Sequence, residues 1–110
     1  MKRVLLDENM PRKLRRELPG CVVRTVQEEG WGSFENGALL RRAAANFDVF
    51  VTADRRMQFQ QTLSGYEIGV VVIVTPRLWY AVLKTVGPEL REAVASVRPG
   101  EIVHIHAGMP

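Results

Sequence analysis

Three segments of this 110-residue chain are apolar at every position: Val4-Leu5-Leu6, Val49-Phe50-Val51 and Val70 to Val74. A strand with one wet face alternates apolar and polar residues, because successive side chains point to opposite faces. Strands without a polar face must be covered on both sides. That requirement points to a parallel sheet held between layers of helix.

The intervening residues agree. Asp7-Glu8-Asn9 makes a loop after the first strand, and Pro11 suits the first turn of a helix. From Arg12 to Leu18, Leu14 and Leu18 lie four apart on one face with basic residues opposite, and Pro19-Gly20 stops the helix. Cys21 to Val26 is β-branched and reads as the second strand. A polar, glycine-rich stretch from Gln27 to Gly37 holds Trp31. Asn36 is the candidate cap of a helix from Ala38 to Asn46, with Leu39, Leu40, Ala43, Ala44 and Phe47 at helical spacing. Val49 to Thr52 is the third strand, Met57 to Leu63 a short helix, and Ile68 to Val74 the strongest strand pattern. Helices over Pro76 to Val86 and Pro88 to Val97, divided by Gly87-Pro88, lead to a last strand over Ile102 to Ile105. The order β-α-β-α-β-α-β-α-α-β predicts one α/β domain over residues 1–110 with about five mostly parallel strands and right-handed crossovers.

Composition narrows the functional classes. A hydrophobic fraction of 46% and a charged fraction of 25% are ordinary for a globular domain. No run of about 18 apolar residues exists to span a membrane, and the apolar start is too short for a signal-peptide core. A cytoplasmic location is therefore expected. Cys21, the single cysteine, excludes an internal disulfide and a thiolate zinc cluster and reads as a buried thiol. The net charge of +3 comes with clusters at Arg12, Lys13, Arg15 and Arg16, at Arg41 and Arg42, and at Arg55 and Arg56. Such clusters suit solvated helix faces and also tolerate a polyanion.

In parallel sheets, ligands bind outside the carboxyl ends of the strands, at the point where the strand order reverses. Asp7 and Glu8 follow the first strand and Asp54 follows the third. If these strands are neighbours, the three carboxylates gather and repel one another, a conflict that a hard divalent cation removes. Each aspartate taken alone also reads as a turn former or helix cap. His104 and His106 alternate on the last strand and so share a side, which an exposed terminal strand explains better than a metal pair does.

The segment Leu5-Leu6-Asp7-Glu8-Asn9-Met10-Pro11 resembles the opening of small PIN-like domains, in the branch related to toxin-type ribonucleases of toxin–antitoxin pairs. Gly30-Trp31-Gly32 with Asn36 to Leu40 is similar to that branch's mid-chain helix start, and Asp48 to Asp54 to its third strand and acidic turn. Gln60-Gln61 and Ile68 to Val74 match as well, so the likeness runs in order over about residues 1 to 105. It implies a Rossmann-like three-layer PIN fold and an Mg²⁺- or Mn²⁺-dependent phosphodiesterase acting on RNA. Asp7 and Asp54 correspond to metal ligands, and Glu8 assists through water. Asn9, Arg12, Arg55 and Arg56 are the candidate substrate-binding residues, with Trp31 or Phe34 as a base-stacking surface. Implied partners are RNA, a small antitoxin protein and a second copy of the chain, without a membrane. Two positions depart from the pattern. Ala38 stands where relatives often carry an acid, with Glu35 offset by three, and Arg56 stands where they often carry Asp or Asn. Those departures suit a partner-binding module with a degraded site. A phospho-receiver domain, with Asp54 as the acceptor, is the other competing reading.

Overall fold

Five strands hydrogen-bond into one wholly parallel sheet: β1 (Arg3–Leu6), β2 (Val22–Thr25), β3 (Val49–Thr52), β4 (Gly69–Val74) and β5 (Ile102–His106). The spatial order is β2-β1-β3-β4-β5. These positions come from a computed structural model that describes residues 1–55 and 67–108. The short helix expected over Met57 to Leu63 lies outside the described residues.

The strands' lack of a polar face has the expected consequence. Val4 and Leu6 of β1, Val49 and Val51 of β3, and Val71 and Ile73 of β4 point into one core. Leu5, Phe50, Val70 and Val72 point into a second core on the opposite face. The first core is closed by Leu14 and Leu18 near the chain start and by Leu83, Leu90, Ala93, Val94 and Val97 near its end. The second is closed by Val26, Leu39, Leu40, Ala43 and Phe47. The fold is thus a three-layer, Rossmann-like α/β sandwich. Each fully buried Leu, Val or Phe contributes roughly 1.5–3 kcal/mol relative to exposure.

Several helical elements differ from the sequence reading. Arg12–Glu17 forms a 3-10 helix, η1, rather than an α-helix through Leu18. Pro19 disfavours helical backbone at the residue before it, and Leu18 sits at φ −124° and ψ 57°. The second strand ends at Thr25, and Val26–Glu29 forms a one-turn helix, α1, within the expected loop. Its cause is legible in the sequence. Thr25 and Glu28 make a capping box, each side chain accepting a bond from the other's backbone N–H. Helix α2 (Asn36–Asn46) starts two residues early, with Glu35 rather than Asn36 as its cap. The helix expected from Pro76 begins only at Tyr80: α3 (Tyr80–Leu83) passes through a 3-10 turn at Lys84–Val86 into α4 (Gly87–Ser96). Gly87-Pro88 starts α4, with proline in its first turn, where the missing N–H costs nothing.

The crossovers do not all share one hand. The β2-to-β3 and β4-to-β5 connections step across the sheet in the same direction. The first passes over the face of Leu39 and Leu40, and the second over the face of Leu90 and Val94. Opposite faces with one direction mean opposite hands. Coverage explains the departure. The six-residue η1 supplies only Leu14 and the adjacent Leu18 to its face, and α3 and α4 fill the remainder. Glu17 ties these pieces together. Its carboxylate accepts the Tyr80 hydroxyl proton at 2.6 Å, its carbonyl accepts from Arg91 at 3.1 Å, and a Cβ at Gly87 would collide with it. Gly69 plays a similar part at the other end of α4, where a Cβ would lie 2.7 Å from Val97 Cγ1.

Candidate active site at the carboxyl ends of β1 and β3

Strand β1 leads out to β2 on one side, while its other neighbour β3 lies on the way to β4 and β5. The order therefore reverses between β1 and β3, the place where this class of sheet opens a crevice. Asp7 is the first residue beyond β1, and its N–H donates to the Val51 carbonyl of β3 at 2.9 Å. Sheet pairing thus runs right up to the aspartate and fixes its backbone.

The side chain is held as firmly. Asp7 Oδ1 accepts the Glu8 N–H at 2.8 Å, and Oδ2 accepts the Thr52 hydroxyl at 2.6 Å. Thr52 is fully buried at the end of β3. Its oxygen in turn accepts the Asp54 N–H at 3.0 Å. One hydroxyl therefore joins the carboxylate after β1 to the backbone of the aspartate after β3. Thr52 is the linking residue that the sequence reading left out of the candidate site; its signal was a hydroxyl residue two places before a strand-end aspartate.

Asp7, Glu8, Asn9, Asp54 and Arg55 all line one open cleft of about 510 Å³. Trp31, Gly32, Phe34 and Leu39 form its opposite wall. Glu8 reaches across toward that wall, with Oε2 3.5 Å from where a Cβ on Gly32 would stand. Gln27 Nε2 donates to the Glu8 carbonyl at 2.5 Å and so anchors the loop from behind. The two aromatics are braced rather than free: Trp31 packs edge-on against Phe47, with centroids 6.0 Å apart, and Arg42 lies 4.4 Å above the Phe34 ring.

The remaining candidates lie elsewhere. Arg12 lines a neighbouring cavity with Met10, Thr25, Gln27 and Glu28. Arg56, Gln60 and Gln61 lie outside the described residues. Ala38 is half-buried in the first turn of α2, which holds no acidic residue. His104 and His106 are exposed on β5, an edge strand.

Asp7 and Asp54 present hard oxygen donors suited to Mg²⁺ or Mn²⁺. Among the described residues, no three His, Cys, Asp or Glu side chains are grouped to hold an ion. A Mg²⁺ that keeps several waters needs only one or two carboxylates, and each Asp7 oxygen, bearing one hydrogen bond, retains a lone pair. The Asp7 carboxylate fits such a hydrated ion, with Thr52 and the Glu8 amide orienting it from behind.

No described helix is long and apolar enough to cross a membrane. Comparison of the chain with protein-family models, with curated proteins and with solved structures gave no match.

Proposed function

We propose that this chain is a PIN-like, Mg²⁺- or Mn²⁺-dependent ribonuclease. One observation carries the reading: Asp7 and Asp54, remote in sequence, line one cleft at the switch point and are joined through the Thr52 hydroxyl. The order and spacing of the motifs around Asp7-Glu8-Asn9 and Thr52-Ala53-Asp54, which resemble the PIN-like branch, support it. A divalent ion, when bound, would supply polarisation of a phosphodiester and a water of lowered pKa. The chain supplies the rest. Asp7 and Asp54 offer the ligands, Glu8 orders water on the cleft wall, and Asn9 and Arg55 meet the phosphate oxygens. The cleft is open, so a single-stranded or looped RNA fits it better than a duplex with inaccessible bases. A cytoplasmic location and a small antitoxin or a second copy as partner belong to the same proposal.

The first turn of α2 lacks an acid at Ala38. That feature favours a second reading, a PIN-like module with a weakened site that works through a protein partner. The receiver reading loses ground for two reasons: β5 is followed by Ala107-Gly108 rather than lysine, and the β4-to-β5 connection has the wrong hand for a regular doubly wound sheet.

The test is incubation of RNA with Mn²⁺ and either the native protein or Asp7→Asn, with circular dichroism confirming that both are folded. Cleavage by the native protein alone is expected. Equal cleavage by both removes Asp7 from the mechanism, and inactivity of both supports the binding module.

A further inference from the structure

Beside the acidic cleft lies a surface of opposite sign. In a 3-10 helix, residues three apart are eclipsed, so η1 carries three stripes. Leu14 and Glu17 form the inner one, and Arg12 with Arg15 and Lys13 with Arg16 form the outer two. Among the described residues, these four basic side chains line a cavity of about 320 Å³. Arg15 is committed to Glu28 at 2.7 Å. Arg12, Lys13 and Arg16 are exposed, and their side chains make no hydrogen bond or ion pair with any described residue. Like charges so close on one short helix repel one another, Arg16 alone also acting on Tyr80, and the core contact of η1 is made by Leu14.

The ridge follows the cleft along the chain. Asn9 lines the acidic cleft, and the next residue, Met10, lines a neighbouring cavity together with Arg12, Thr25, Gln27 and Glu28, whose carboxylate is taken by Arg15. Arg12 then lines the basic cavity as well. Gln27 joins the walls by its bond to the Glu8 carbonyl. The exposed Arg55 lines the acidic cleft itself. Positive charge therefore stands in the cleft itself at Arg55 and along η1, whose first residue Arg12 lines the neighbouring cavity. The six residues of η1 span about 12 Å, enough to meet more than one phosphate.

We propose that Arg12, Lys13 and Arg16 form a phosphate-binding track that holds single-stranded polynucleotide as it leaves the Asp7–Asp54 cleft. The site rests on the nuclease reading for its direction, but its binding is separable from cleavage. Backbone contacts of this kind position a strand without reading its sequence. Each phosphate neutralised releases counterions, so affinity falls with salt at a slope of about 0.7 per contact for single strands.

The experiment measures binding of a fluorescently labelled oligouridylate to the full chain in EDTA, where metal-dependent cleavage cannot interfere, across a salt series. The variant is Arg12→Gln/Lys13→Gln/Arg16→Gln, and the charge-matched control is Arg41→Gln/Lys84→Gln/Arg98→Gln, all six positions being exposed. The track variant should bind about tenfold more weakly at low salt, with a salt slope shallower by about 2, while the control changes less than twofold. Equal weakening in both variants would reduce the ridge to net charge and overturn the proposal. So would unchanged binding in the track variant, or a polyglutamate peptide that competes as well as the RNA and loses its affinity in the track variant, which would assign the ridge to an acidic protein. Failure of Mn²⁺-dependent cleavage with the salt result intact would refute the nuclease and leave the track standing.

Discussion

Two neighbouring strands of this sheet end in the same local device and use it differently. After β3, Thr52 accepts the N–H of Asp54 two residues on; after β4, Thr75 accepts the N–H of Arg77 two residues on. The hydroxyl protons part ways. Thr52 sends its proton across to the Asp7 carboxylate just beyond β1, whereas Thr75 returns its proton to the Arg77 carbonyl. Thr52 is fully buried and Thr75 half-exposed. The first turn couples the Asp7 carboxylate to the backbone of Asp54, and the second shapes a loop in which Arg77 stacks on Trp79. A threonine turn becomes part of a site when its neighbour strand ends in a group that needs its proton.

Substitutions can break this contrast. The largest effect belongs to Asp7→Asn, which removes the charge that Thr52 serves. Loss of more than about 100-fold in Mn²⁺-dependent cleavage is expected, beyond the range typical for groups that only support a ligand. Thr52→Val keeps the shape and deletes the donor. Activity or Mn²⁺ affinity should fall 10–100-fold, with a stability cost of about 1–2 kcal/mol in urea unfolding from the bonds lost. A Thr52→Ser variant should restore most of the activity. A third threonine sharpens the contrast. Thr25, at the end of β2, spends its hydroxyl on a helix cap, so Thr25→Val should cost about 1 kcal/mol and leave Mn²⁺ affinity unchanged. The smallest effect is expected from Thr75→Val, within about 0.5 kcal/mol and without change in activity.

The Thr25 cap also carries a pH signature. The Thr25 N–H holds the Glu28 carboxyl below its ordinary value, with Arg15 adding to the effect against partial desolvation. A lowered folded value means that the box stabilises the fold above the ordinary glutamate range, and that this stability is lost as the pH falls through the folded value. Thermal melts should therefore show the native protein losing more stability than Glu28→Gln on acidification below about pH 4.5. An identical decline in both proteins would detach the box from acid stability.

Much of this arrangement was legible before any coordinates, for a physical reason. Continuous apolar runs leave a strand no wet face, so the two-sided core around Leu5 and Leu6 followed from composition at single positions. The pairing of β1 with β3, and with it the placing of Asp7 and Asp54 on one cleft, needed one further rule about where such sheets reverse. The short helices were harder. The end of η1 is set by Pro19 acting on Leu18, and the position of α1 by the capping box at Thr25 and Glu28, a pattern present in the sequence but hidden inside a stretch that looked like loop. The hand of the β4-to-β5 connection depends on how much face η1 leaves uncovered, which no local pattern states. Thr52 illustrates the same limit within the site. Its type and place were plain, but the direction of its hydroxyl depends on the neighbour across the sheet.

In the proposed nuclease, Asp7 and Asp54 share a divalent ion. Anomalous diffraction from crystals soaked in Mn²⁺ tests it directly, with the Thr52→Val variant alongside. A peak in contact with both aspartates in the native protein, weakened or absent in the variant, is the expected result. Ordered density for both side chains with no peak between them, or a Mn²⁺ site held by other residues, would contradict it.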